Sequence, residues 1–400
     1  MNPDNHRPRV MAGGSLDVDN FGDLLFFLLT ERYLAAADVV PVAPFGWNMK
    51  PILARQVHAY GPLLSSEPFD VIWTVGGEMG GSGALEDAYR ISAPDADYER
   101  YERGTADERR AIMSRAMGDV PIPPVVHAYM PPHRAYPLNA DAVTVLNSVG
   151  ISHLLDEDAG RDERARYLRE LDFVSVRDRE SSQLLDSIGV SHTLAPDAIH
   201  AISSWRPPLG DAESDIALFQ ISKPVLSKLG VDAVAEMLMS NEHLRKLRLR
   251  VLMTGTWREG ADSEALNHEL IARMLHIAPG ADVALIRDRH PFRLVDHISR
   301  ARIVIGTSLH LRIVACAYAV PRVTLSIFLS TKPDRYARLW DPHMPYGVLL
   351  DDLDAAVNNA LARAHDATTM DASANLTRRA DRHMRNLAEA VLDRANERRA

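Results

Sequence analysis

The 400-residue chain contains a single cysteine, Cys316, set in the apolar pattern "IVACAYAV". An intrachain disulfide is therefore excluded, and so are zinc sites built on paired cysteines. With no base or cation beside it in sequence, Cys316 reads as a buried structural thiol rather than a nucleophile. Basic charge is also in short supply: 45 Lys and Arg against 54 Asp and Glu leave a net charge of −9. General nucleic-acid binders carry a basic excess or stripe, so that class is set aside, whereas a local cationic pocket for a small acid is not. Long hydrophobic runs are missing too. The segment "LLFFLLTERYLAAADVV" is broken by Glu31 and Arg32, no run reaches transmembrane length, and "MNPDNHRPRVMAGGS" has no apolar signal core. The expectation is a soluble, cytoplasmic protein with no transmembrane segment, peripheral association with a membrane staying open. Internal repeats and low-complexity tracts are likewise absent.

What is present is alternation. In the first half, "RPRVMAGG", "ADVVPVAP", "FDVIWTVGGE", "AVTVLNSVGIS" and "LDFVSVRD" read as apolar strands separated by helical patterns such as "NFGDLLFFLLTERYLA". The segment "SSWRPPLGDAESD" is the most linker-like in the chain. After it the order restarts: "DIALFQIS", "RLRVLMTG", "DVALIRD", "ARIVIGTS" and "PRVTLSI" alternate with helices. Near-continuous apolar strands in β-α order predict parallel sheets covered on both faces, hence an α/β fold of two Rossmann-like domains. The expected boundaries are 1–205 for an N-terminal, acceptor-side domain, 212–365 for a C-terminal, donor-side domain, and 366–400 for a C-terminal helix. Residues 80–135 read as a loop or a helical insertion. Ligands of open parallel sheets sit at the carboxyl ends of the strands, so a cleft between the domains is the expected site.

Four strand-end clusters carry candidate chemistry. In "DNFGD", Asn20 and Asp23 flank a glycine before a helix, where backbone amides can meet an anion or sugar hydroxyls; a simple helix cap reads equally well. "TVGGEMGGSG" places Gly77 and Glu78 after a strand, but its spacing is not the G-x-G-x-x-G fingerprint of dinucleotide binders. Arg177 in "SVRDRES" ends an apolar strand, placed to pair with a carboxylate or phosphate, or with a neighbouring acid. Asp197 in "LAPDAIH" closes another. The last cluster, Gly306-Thr307-Ser308 ahead of Leu309 and His310, sets an imidazole at a helix start, where the dipole favours a neutral, proton-accepting ring.

In order and approximate spacing over residues 15–330, "DNFGD", "TVGGE", "SVRDRES…LLDSIGV", "LAPDAIH" and "SLHLRIVACAYAVPRV" resemble the polysaccharide pyruvyl transferase family. The resemblance implies a glycosyltransferase-B-like fold and transfer of an enolpyruvyl-derived group from phosphoenolpyruvate to a sugar hydroxyl pair, giving a cyclic ketal. It implies a donor-binding role for Arg177 and His310, an acid/base or positioning role for Asp197, and a place for Asp23 in the cleft near the acceptor. The expected site then has His310 and Asp197 as catalytic residues, Arg177, Ser308, Leu309 and Arg312 on the donor, and Asn20, Asp23, Gly77 and Glu78 on the acceptor. It calls for no metal and no cofactor beyond the donor substrate, and for a glycan or glycan-lipid acceptor. One position departs from the pattern: Ser308 stands where the family carries arginine, removing a guanidinium expected to grip the donor. Arg312 is the nearest substitute, but positions two apart on a helix do not share a face. Two other classes stay open: a sugar-nucleotide-dependent glycosyltransferase of the same fold, and a noncatalytic glycan-binding homologue. No sequence feature reports the oligomeric state.

Overall fold

The computed structural model describes residues 7–79, 83–120, 123–157, 160–208, 215–258, 262–328 and 330–399. The chain divides into two compact units, one of residues 1–19, 23–198 and 382–400, the other of residues 20–22 and 199–381. The linker-like segment near 205–212 lies partly outside the described residues.

Among the described residues, the first unit holds eight strands: β1 (Arg9–Gly13), β2 (Asp38–Ala43), β3 (His58–Ala59), β4 (Val71–Thr74), β5 (Gly77–Glu78), β6 (Val143–Gly150), β7 (Phe173–Val176) and β8 (Thr193–Leu194). Their order is β3-β2-β1-β4-β6-β7-β8, with β5 on β6, and every pairing is parallel. The second unit holds β9 (Ile216–Gln220), β10 (Arg248–Val251), β11 (Val283–Leu285), β12 (Ile303–Gly306) and β13 (Arg322–Thr324), in the order β11-β10-β9-β12-β13, again all parallel. Strands β4, β6 and β12 are buried at every position, which is why they read as apolar runs rather than alternating patterns. In both sheets the strand order reverses beside the first strand, between β1 and β4 and between β9 and β12. These are the switch points at which open parallel sheets form crevices at their carboxyl ends.

Among the described residues of region 80–135 are three α-helices, Leu85–Ser92, Asp95–Arg103 and Ala106–Ala116, packed around Phe45, Tyr89, Tyr101 and Ile112. The C-terminal stripe becomes one long helix, Ala367–Arg399, burying Leu376, Ala380, Met384 and Val391. At its end Arg398 and Arg399 pair with Asp172 and Asp70 of the first unit.

One buried ionic cluster anchors the second unit. Arg312 and Arg322 converge on Asp341 at 2.8 and 2.5 Å, and all three side chains are almost wholly buried. Burial alone would raise the Asp341 pKa, but the two guanidinium groups overcome it and hold it below its ordinary value. Removing the carboxylate would strand two buried cations. Asp341→Ala is expected to lower unfolding stability by about 3–5 kcal/mol in denaturant titrations; a loss under about 1 kcal/mol would show that the cluster is not the anchor described.

Candidate functional site

At the switch point of the second unit, β9 ends in Gln220, which is only 1% exposed. Its Oε1 accepts from the amides of Thr307 and Ser308, both at 3.0 Å, directly after β12. Its Nε2 donates to Asp262 Oδ1 at 2.7 Å, and Asp262 Oδ2 accepts from Thr254 N at 2.5 Å and Thr254 Oγ1 at 3.1 Å. Burial pushes the Asp262 carboxyl up to about 6, against the pull of these bonds. Ser308 caps the helix Leu309–Ala317, its hydroxyl accepting from Leu311 N. The next residues are Leu309, buried, and His310, 9% exposed.

The stretch Asn20–Gly22 belongs to this unit as well. Asn20 bridges to Gly255, Phe21 N donates to Thr254 O at 2.7 Å, and Asn20 Oδ1 accepts from Gly22 N at 3.1 Å. Gly22 lies so close to the His310 ring that a methyl group there would overlap it. The glycine of "DNFGD" is thus a seat for the imidazole.

In the first unit, β6 carries a bulge between Leu146 and Val149, with Ser148 at a φ of 58°, an uncommon conformation for a residue other than glycine. Ser148 Oγ accepts from Ala198 N at 2.9 Å, which fixes the chain beside Asp197. Asp197 is fully buried and pairs with Arg177 Nη1 at 3.0 Å; Glu78 lies 3.6 Å from Arg177 Nη2. Burial alone would lower the Arg177 pKa, yet the Asp197 and Glu78 charges hold it above its ordinary value. The Arg177 guanidinium also lies over the Phe26 ring, 5.9 Å from its centre. Phe26 in turn fills the space that a side chain on Gly76 would need, and Asp23 Oδ1 lies 3.0 Å from where a Gly77 side chain would begin. The strand-end glycines therefore admit this chain's own side chains. Gly77 additionally needs glycine for its φ of 131°.

The structure brings Arg177, Asp197 and Glu78 together in the first unit, and in the second places Asn20 on a loop, Ser308 at a helix N-cap, and Leu309 and His310 in the first turn of that helix. Arg312 goes elsewhere. Beyond Asp341 it donates to Thr324 Oγ1, Pro345 O, Asp341 O and Met344 O, so its guanidinium is committed to the interior and offers a donor nothing. Sequence reasoning missed Gln220 and Asp262, and also Asp17. The last lies at the switch point after β1 and is 3% exposed. Burial pushes its carboxyl up to about 8, offset in part by hydrogen bonding and reinforced by Asp23. Among the described residues no group of three or more His, Cys, Asp or Glu could hold a metal, and no helix is long and apolar enough to cross a membrane.

Two outcomes follow from this geometry. Gly22→Ala is expected to displace the imidazole, shifting the His310 ring signals in NMR; unchanged ring signals would contradict the seat. For Asp17, the folded state raises the pKa, so its stabilising contribution is complete below the ordinary value of 3.8 and is lost as pH rises through about 8. Asp17→Asn removes that dependence. Denaturant titrations should show wild type losing stability relative to the variant by up to about 1.4 kcal/mol per pH unit between those limits. Parallel pH profiles would place Asp17 in a more polar setting.

The sequence model of the polysaccharide pyruvyl transferase family matches residues 114–327, a span that contains Arg177, Asp197, Gln220 and His310. No curated protein matches the chain. Among solved structures, it is similar to the UDP-GlcNAc 2-epimerase of Methanocaldococcus jannaschii, with a TM-score of 0.53 at 10% identity, covering 96% of this chain and 100% of that one. It is also similar to Anabaena Alr3699/HepE in complex with UDP-glucose, with a TM-score of 0.51 at 12% identity, covering 97% and 100%. At such identities the likeness concerns the fold, which is glycosyltransferase-B-like, with two parallel-sheet α/β domains. The family match takes in more than half of the chain, and the protein belongs to the polysaccharide pyruvyl transferase family.

Proposed function

We propose that the protein transfers the enolpyruvyl-derived group of phosphoenolpyruvate to a pair of hydroxyls on a glycan or glycan precursor, forming a cyclic ketal. The observation that carries this reading is the family match over a span that includes His310, Arg177 and Asp197. In the reaction, a proton is added to the methylene carbon of the donor, making it a methyl group. The two acceptor oxygens bond in turn to the adjacent carbon, and its bond to the phosphate oxygen breaks. Of the two hydroxyl protons, one balances the new methyl hydrogen and the other leaves with phosphate. His310, seated on Gly22, is the group we assign to proton handling.

Arg177 receives a different role from the donor contact read in sequence. Its charge is already met by Asp197 and Glu78, so an anionic donor would compete with two carboxylates there. We assign it to holding Glu78, whose side chain is 33% exposed, in position to accept acceptor hydroxyls. The sugar-nucleotide alternative draws on the fold it shares with proteins named for UDP-sugars. Against it stands Gln220, which already occupies two of the strand-end amides that would serve a diphosphate.

Thermal-shift screening tests the choice. Phosphoenolpyruvate is expected to raise the melting temperature, and UDP-sugars are not. With a suitable saccharide, phosphate should be released, and His310→Gln should lower that rate by about 10²–10⁴-fold. Stabilisation by UDP-sugars alone, or full activity in His310→Gln, would overturn the reading.

A further inference from the structure

We propose that Gln220 is a positioning residue for His310, and that Asp262 dictates which way the Gln220 amide faces. The inference rests on the reading that His310 handles a proton. Gln220 lies at the switch point between β9 and β12, where an open parallel sheet would otherwise offer strand-end amides to a ligand. Instead its Oε1 takes both amides, Thr307 N and Ser308 N, and lies 3.3 Å from Thr307 Oγ1. Thr307 Oγ1 is further fixed by Ser222 N at 3.1 Å. The chain then runs directly into Ser308, whose hydroxyl caps Leu311 N, so a shift of residues 307–308 carries the first helical turn, and His310 within it.

A glutamine amide fits a site in two orientations that exchange oxygen and nitrogen. Only one works here. Thr307 and Ser308 present donors, whereas Asp262 presents an acceptor, so the reversed amide would set N–H groups against N–H groups and oxygen against carboxylate. Asp262 is held in turn by the Thr254 amide and hydroxyl, and its own amide donates to Gly255 O at 3.0 Å. These partners come from the ends of β9, β10 and β12, which only the folded sheet brings together. The arrangement also means that the Thr307, Ser308 and Leu311 amides all serve oxygens of this chain, so the loop presents a fixed imidazole in place of an open anion nest.

The test uses the whole protein. Gln220→Met keeps the size and removes both hydrogen-bonding atoms, whereas Gln220→Glu keeps an oxygen for the amides and can reach Asp262 only through a shared proton. In Gln220→Met, hydrogen exchange at Thr307 and Ser308 is expected to accelerate by about tenfold or more. The His310 ring signals should move, and turnover should fall by about 10–100-fold with the phosphoenolpyruvate KM changing less than about threefold. Gln220→Glu should restore protection at low pH and lose it as the shared proton is lost on raising the pH. Unchanged exchange and ring signals in Gln220→Met, or no rescue by Gln220→Glu at any pH, would overturn the assignment. Should Gln220→Met fail to fold, Asp262→Asn frees the amide to turn and must by itself loosen Thr307 and Ser308; unaltered protection there would overturn it equally. The exchange and ring-signal measurements need no turnover, so they decide the role of Gln220 even if phosphoenolpyruvate proves not to be the donor.

Discussion

Among the described residues, every pairing between the thirteen strands is parallel, and that constraint governs where the candidate site residues are found. A parallel sheet gathers all its strand-to-helix loops along one edge, and the reversal of strand order parts two of them. In the first unit that edge carries Asp17, Glu78, Arg177 and Asp197. In the second it carries Gln220, Thr254, Thr307 and His310. Each set is drawn from residues far apart in sequence, and each is fixed by hydrogen bonds that exist only once the strands lie side by side.

The two units handle charge in opposite ways. Arg177 is one guanidinium faced by two carboxylates, whereas Asp341 is one carboxylate faced by two guanidinium groups. Both arrangements are largely buried, where an unpaired ion is costly, and both therefore fix their members tightly. The acidic balance around Arg177 suits neutral hydroxyls better than an anion. Arg312, close to His310 in sequence, has its guanidinium committed to interior partners instead.

Much of the fold was legible beforehand because buried parallel strands leave an unmistakable trace: "RIVIGTS" and "DIALFQIS" are apolar at nearly every position and then stop at polar residues. His310 stood out for the same reason, a polar group standing between two apolar elements, and the structure places its ring against Gly22. Gln220 did not stand out. In sequence it is simply the last residue of a strand, and its partners lie 42 residues away at Asp262 and 87 and 88 residues away at Thr307 and Ser308, joined to it only by strand order. In sequence the glycines of "TVGGE" simply follow a strand; that Phe26 and Asp23 lie in the space beside Gly76 and Gly77 depends on how one helix packs. The grouping of Asn20–Gly22 with the second unit, while Asp23 stays with the first, also leaves no mark in local pattern.

The proposed reaction consumes phosphoenolpyruvate at its carbon skeleton, with a proton added to its methylene group. Incubating the protein with phosphoenolpyruvate and a glycan acceptor in heavy water, and reading the product by NMR, addresses this directly. The expected product is a ketal whose methyl group carries one solvent-derived deuteron, formed in step with free phosphate. A sugar product lacking that methyl group, or release of a nucleoside diphosphate from a sugar nucleotide in its place, would contradict it.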